Sequence, residues 1–253
     1  MEAYQADSSW RAKIRRRAVR FSSRRPARAP AGPMLSFAFD DVPASATEAG
    51  AQILERRGLR GTYYIAAALA ACEAVTGPMA EPVAVQRLAE AGHEIGCHTY
   101  SHLDCGQAAP ADAVEDVALN ARTLEAWGLP RPTTFAYPFG DVAPATKRAL
   151  AGRFELMRAL HPGLVTAGAD LNQAPAVGVE GPGGEALALR WLQRAAHRKA
   201  WLILCTHDVA DAPSAWGCTP ATLARLADAA IDAGFEVVTV AEGARRVGYL
   251  AAA

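Results

Sequence analysis

The sequence predicts an α/β fold: a closed or nearly closed barrel of parallel strands wrapped by helices, preceded by a basic N-terminal arm. Two observations carry this. From residue 34 onward, short apolar runs alternate with segments whose apolar residues recur at helical spacing, giving seven or eight β/α units. The length of 253 residues also suits one such barrel. A doubly wound open sheet is the alternative, but no glycine-rich phosphate fingerprint follows the first strand.

The elements can be taken in order. After the linker RRPARAPAGP, strands are expected at MLSFAF (34–39), GTYYIAA (61–67), HEIGCH (93–98) and TTFAYPF (133–139). FELMRAL (154–160), PAVGVE (175–180), WLILCT (201–206) and FEVVTV (235–240) complete the set. Between them, helical spacing marks 49–58, 83–92, 113–128, 185–200 and 221–234. Four of these helices end in glycine, at Gly58, Gly92, Gly128 and Gly234, the usual left-handed stop. The expected organisation is an arm over residues 1–33 and a single barrel domain over 34–253.

About half the residues are apolar and a fifth charged, enough for a sizeable core. There is no apolar run of membrane-spanning length and no secretory-signal pattern at the start, so a cytoplasmic protein is expected. Cys72, Cys97, Cys105, Cys205 and Cys218 form no CxxC pair, and mostly buried thiols in a reducing compartment are expected. Cys97 and Cys205 lie beside candidate site histidines but are read as packing residues.

The zero net charge is unevenly spread. Residues 1–33 carry nine Lys or Arg against two acids, a balance of +7, which leaves −7 on the body. Trp10, Ile14, Ala18 and Phe21 form an apolar stripe at helical spacing, with arginines on the opposite face. Such a helix suits an anionic membrane surface; packing the stripe against the acidic body is the favoured alternative. No nucleic-acid partner is expected, because the body is acidic and lacks a recognition motif.

Several predicted strands end in polar groups: Asp40 and Asp41, then His98 with His102 one turn on, then Pro138–Asp141, then His207 and Asp208. In a parallel barrel the carboxyl ends of the strands form one rim, which holds the active site. Each group alone has a plain explanation, as a helix cap, a turn or a solvated loop. Their coincidence on one rim favours a metal site. A catalytic divalent ion, zinc first and cobalt, nickel or manganese after it, takes three protein ligands and leaves a position open. Asp41, His98 and His102 make such a set. Asp40 is then left to accept a proton from water and His207 to protonate a departing group, a combination suited to hydrolysis of an amide or ester.

FAFDD, HTYSH, FAYPFG and LCTHD, in this order, resemble the polysaccharide deacetylase family of carbohydrate esterases, with its NodB-homology domain, over roughly residues 34 to 243. The resemblance implies a distorted (β/α) barrel of seven or eight units and metal-dependent removal of an N- or O-acyl group from a carbohydrate or glycoconjugate. It makes Asp40 the general base, His207 the general acid, and Asp41, His98 and His102 the metal ligands. The backbone amide near Phe139 joins in holding the oxyanion, Tyr137 belongs to the same motif, and Thr99 braces the ligand loop. Trp216 is a candidate for stacking on a sugar face, and Asp208 is adjacent to the acid.

The chain departs from the family pattern at two places. Val42 stands where a glycine usually follows the aspartate pair, so that loop is expected to differ in backbone shape. Ala136 stands where many members carry an arginine that steadies the catalytic aspartate; Arg158 is the candidate replacement, and Asp170 the candidate to orient His207. Three alternatives follow: a deformylase acting on a lipid-linked sugar, a catalytically silent relative binding glycan or metal, and an unrelated amidohydrolase-type enzyme. The last lacks its His-x-His at the first strand. Nothing in the sequence indicates an oligomeric state.

Overall fold

The computed structural model describes residues 17–248. Its centre is β1, Met34–Asp40, a run of seven residues buried at every position. Both faces are covered, as the continuous apolar run requires. β2 (Thr62–Ile65), β3 (Glu94–Cys97), β4 (Thr134–Ala136) and β5 (Leu156–Arg158) lie in turn on one side. β7 (Trp201–Thr206) and then β6 (Val177–Gly178) lie on the other, and β8 (Glu236–Val237) also pairs with β1. All pairings in this eight-stranded sheet are parallel. The sheet curls into a distorted (β/α) barrel. An isolated parallel bridge joins Arg158 of edge strand β5 to Ala174, in the segment leading into the other edge strand, β6.

Helices cover the outside: α1 (Ala51–Glu55), extending a widened turn at Ala46–Gly50, then α2 (Pro82–Glu90) and α3 (Pro110–Ala126). α4 (Pro144–Leu150), α5 (Gly184–Arg198), α6 (Pro220–Asp232) and α7 (Val240–Val247) follow. None of the helices among the described residues is long and apolar enough to cross a membrane. Period-two alternation sorts the strand residues into two cores. Leu35, Phe37, Phe39, Tyr63 and Ile65 face the helices, whereas Ala38, Tyr64, Ala136, Leu156, Ile203 and Cys205 fill the barrel interior. Asp40 and Arg158, each two residues beyond an interior apolar residue, therefore also project inward.

The five expected helices are present, and the four terminal glycines have φ between 70° and 88°. Two elements differ from expectation. FEVVTV pairs only at Glu236–Val237, because Thr239 caps α7 through a reciprocal box with Glu242, and Val240 begins that helix. PATKRAL forms α4, with proline in its first turn, where no helix was expected.

Trp10 and Ile14 of the predicted stripe lie outside the described residues. Ala18 and Phe21 face outward, Phe21 at 76% exposure, while Val19 is buried at 1%. Among the described residues, then, the part of the stripe at Ala18 and Phe21 does not pack on the body. Residues 22–28 are instead held largely through their backbone. Ala27 N–H donates to Ala169 O (2.7 Å), Leu171 N–H to Arg25 O (2.8 Å) and Arg28 N–H to Val247 O (2.7 Å). The fully buried Lys147 ammonium donates to Val19 O (2.9 Å) and to Asp170 (2.6 Å). All five cysteines are free, with Cys72 exposed and the other four buried.

Candidate active site

Asp40 ends β1 inside the barrel, and the chain turns sharply after it. Asp41 and Val42 take φ of 58° and 61°, and Val42 N–H closes the turn on Asp40 O at 2.6 Å. A valine in the left-handed region is a genuine outlier, costing on the order of 1–3 kcal/mol. Val42 thus keeps the kind of backbone a glycine would take, contrary to the expectation that it would reshape the loop. Its side chain is buried in the outer core and its carbonyl accepts from Ala80 N–H at 3.1 Å, which holds the strained turn. The turn splits the two aspartates: Asp40 stays buried and Asp41 emerges beside the histidines.

His98 leaves the end of β3, and its Nδ1 meets the carbonyl of Ala136 at 2.8 Å. A carbonyl only accepts, so Nδ1 carries the proton and Nε2 presents its lone pair to the site. His102 arrives by a non-helical loop, not by the helical turn its spacing implies, with Thr99 and His102 at φ of 60° and 57°. Two ties brace that loop. Leu103 N–H donates to Thr99 Oγ1 at 2.8 Å. Asp116 of α3 accepts from Tyr100 N–H (2.5 Å), Ser101 N–H (3.0 Å) and the Ser101 hydroxyl (2.8 Å).

One ligand atom from each of Asp41, His98 and His102 lies within 4.8 Å of the others. His98 Nε2 is 3.5 Å and His102 Nε2 3.2 Å from Asp41 Oδ1, and that oxygen is buried with no hydrogen-bond partner. A buried, unsatisfied carboxylate oxygen facing two imidazole nitrogens is costly unless a cation joins them. The three residues fit a divalent ion.

Beneath this triad Arg158 Nη2 donates to Asp40 Oδ1 across the barrel interior. Burial alone would raise the Asp40 carboxyl, but the Arg158 charge, helped by His98 and His207, outweighs it and holds Asp40 below its usual range. Burial pushes His98 down to about 4, against the pull of Asp40 and Asp41, which keeps its ring neutral. The guanidinium rests on the Tyr64 ring, 5.0 Å from its centroid. Tyr64 can lie there because its neighbour in register is Gly96, where a Cβ would fall 2.5 Å from the ring. Ala136, the register partner of Arg158, is fully buried and leaves the interior space that the longer side chain crosses.

His207 follows β7, and its backbone N–H (3.2 Å) and Nδ1 (3.3 Å) both meet Trp216 O, so the Trp216 loop fixes the ring. The Trp216 side chain is half-buried. Phe139, at φ 58° in a short turn after β4, sets its ring edge-on to His102, centroids 4.4 Å apart. Gly140 has φ 65° and stands against Leu160, with no room for a side chain.

Three candidates lie elsewhere. Tyr137 is 1% exposed, and its hydroxyl donates to Asn172 O (3.1 Å) within the core, because strand alternation turns it away from the interior that Ala136 faces. Asp170 is engaged by Lys147 and by the backbone amides of Arg25 (2.9 Å) and Asn172 (3.0 Å), so it fastens the N-terminal segment and does not orient His207. Asp208 accepts from Ser214 N–H (2.8 Å) and its hydroxyl (2.5 Å), shaping the loop that carries Trp216.

Glu180, just beyond β6, was not anticipated. Burial raises its carboxyl, the charge of His207 opposes that, and Oε1 is buried without a partner. Glu180 and Asp40 are thus two carboxylates that feel the charge of His207, whereas Asp170 is engaged elsewhere. The strand-end rule that selected Asp40 and His98 applies equally to GVE.

Known structures share this architecture. The chain aligns with the chitin deacetylase of the fungus Colletotrichum lindemuthianum at TM-score 0.60 and 17% identity, over 87% of this chain and 91% of that one. The family 4 carbohydrate-esterase domain of a multidomain xylanase, from the hindgut metagenome of Trinervitermes trinervoides, gives 0.60 and 18%, over 83% and 89%. A family 4 pseudoenzyme from Bacillus anthracis gives 0.55 and 14%, over 85% and 66%. No curated protein matches the chain in sequence. The polysaccharide deacetylase model matches residues 27–156, half of the chain, and takes in β1 to β4 together with Asp40, Asp41, His98 and His102. The chain belongs to the polysaccharide deacetylase family.

Proposed function

We propose that the protein is a metal-dependent hydrolase that removes an N- or O-linked acyl group, acetyl first, from a carbohydrate or glycoconjugate. The observation that carries this reading is the orphaned Asp41 oxygen facing His98 and His102, directly above an Asp40 carboxylate kept ionised by Arg158. Asp41, His98 and His102 hold the divalent ion, zinc or a similar metal, which when bound acidifies water and polarises an acyl oxygen.

The chain's own groups do the rest. Asp40, ionised at neutral pH, accepts the proton of the attacking water. Arg158 fixes the rotamer of Asp40 and sets its basicity. The backbone amide of Phe139 donates to the oxyanion as the acyl carbon becomes tetrahedral. His207, held at Nδ1 by the Trp216 carbonyl, presents Nε2 to the leaving amine or hydroxyl and delivers a proton. Trp216 offers its indole face to the sugar. Action within the cytoplasm is part of the same proposal.

The test is acetate and formate release from a panel of acylated sugars, by protein loaded with zinc or cobalt and by chelated protein. Turnover that follows the metal supports the proposal, and formate release would assign the deformylase variant. The pseudoenzyme among the structural neighbours gives weight to a second reading, a silent module that binds metal or glycan. Metal binding without any acyl release across the panel would establish that one.

A further inference from the structure

The acyl-hydrolase reading makes no use of the basic N-terminal segment. Its described part lies across the loop that joins β5 to β6, and the two line a cavity of about 370 Å³ that is open to solvent. Arg20 and Arg24 form one wall, and His161, Thr166 and Gln173 the other. Arg24 is pinned by a hydrogen bond from Nη2 to Gly168 O at 2.7 Å. The wall also includes one carboxylate, Asp170, whose charge is taken up by Lys147 at 2.6 Å. Among the described residues neither Arg20 nor Arg24 is ion-paired. The cavity is therefore cationic and has no built-in counter-charge.

His161 reports that field. Burial lowers its pKa, the charges of Arg20 and Lys147 lower it further, and Asp170 opposes them only in part. Two guanidinium groups and an imidazole lining one cavity suit the oxygens of a phosphate group, which accept in forked pairs. A cavity of this size has room for a phosphate and the first atoms of whatever it is attached to.

Its position ties it to the site below the rim. His161 is three residues beyond Arg158, roughly 10 Å of chain, and the intervening Leu160 is exposed and packs on Gly140 beside Phe139. Leu160 and Phe139 thus stand between His161 and His102, whose ring Phe139 touches.

We propose that this cavity binds a phosphate-class oxyanion carried by the substrate, so that the sugar to be deacylated is attached to an anionic carrier. This rests on the deacylase reading above for the word substrate, but not for the binding.

The test follows the ring signals of His161 by NMR in the full, isotope-labelled chain as inorganic phosphate is added. We expect a saturable shift at His161, a rise in its pKa, and no shift at the exposed His197. The pair Arg20→Gln and Arg24→Gln should weaken the effect at least tenfold. Phosphate captured at the metal triad would move His102 and leave His161 still, which would overturn the proposal. So would an equal response in the double variant. Arg20→Gln alone, which keeps the Arg24 tie, covers the case in which the double variant misfolds.

A second arm uses vesicles of phosphatidylcholine alone and in equal parts with phosphatidylglycerol. Sedimentation with the anionic vesicles, lost in the variant, assigns a lipid phosphate. A His161 response without sedimentation assigns a soluble phosphorylated carrier. If His161 responds while no acyl group is released from any sugar, the deacylase reading fails and the anion site stands.

Discussion

Arg158 reaches Asp40 from the edge strand β5, across the barrel interior, and its register partner on β4 is Ala136. The cation that steadies the proposed base thus comes from the strand beside the one on which the family pattern would place it. Paired positions on parallel strands project to the same face, so a guanidinium from either reaches one spot.

Arg158→Met leaves a buried carboxylate without its counter-charge. Because Arg158 lowers the Asp40 pKa against the effect of burial, its loss should move the acid limb of kcat/KM to higher pH. We expect a rate loss of roughly 100-fold or more at neutral pH and a stability loss of about 3–5 kcal/mol. In the native chain the carboxylate's stabilisation is present above the unfolded carboxyl pKa and disappears as pH falls through the lowered folded value. The variant's denaturation midpoint should lack that acid-side decline. Pairing Arg158→Ala with Ala136→Arg should restore part of the acid limb, and a pH profile indifferent to all these changes would remove Arg158 from the mechanism.

Asp40→Asn and Asp41→Asn should separate cleanly. The first is expected to keep zinc affinity within a few-fold while kcat falls by about 10²–10⁴; the second should lose zinc. Calorimetric titration of both variants decides the assignment, since zinc loss in Asp40→Asn would reverse the two roles.

Asp116→Ala removes three hydrogen bonds from the loop that carries His102. Groups that orient metal ligands typically contribute 10–100-fold in affinity. The expected result is weaker zinc binding of about that size with little change in the melting temperature of the metal-free protein. A large fall in that melting temperature would make Asp116 a fold residue and no more.

Truncation should reveal where the N-terminal segment matters. Removing residues 1–28 deprives Lys147 of the Val19 carbonyl and Asp170 of the Arg25 amide, and exposes the backbone of 168–171. Thermal melts should show a drop of several degrees, by the usual relation between kcal/mol and melting temperature. Removing only 1–16 leaves those contacts intact, so the difference between the two truncations measures what residues 17–28 contribute.

The alternation of strands and helices made the barrel legible in the sequence, and the polar strand ends marked the rim. Periodicity says little about short elements: β6 and β8 pair over two residues each, and α4 has seven. The TVAE capping box was present as a signal but was outweighed by the β-branched run before it. Within the site, spacing identified Asp41, His98 and His102 but implied a helical turn, whereas left-handed residues at Thr99 and His102 bring the rings together. Arg158 was reachable by reasoning about a missing charge. Glu180 stands at a strand end and was open to the same rule as Asp40, whereas Asp116 was not reachable, because its role depends on which loop the fold brings alongside it.

The backbone ties between residues 25–27 and 168–171 have a consequence for how the chain is made. A ribosome emits the segment well before its docking surface, which lies some 145 positions later, as the Arg25–Asp170 contact shows. Contacts this distant form late, so during synthesis the segment must wait until residues 168–171 have emerged. Its seating then follows emergence of the loop between β5 and β6, and nascent chains arrested before residue 168 should leave the segment open to protease.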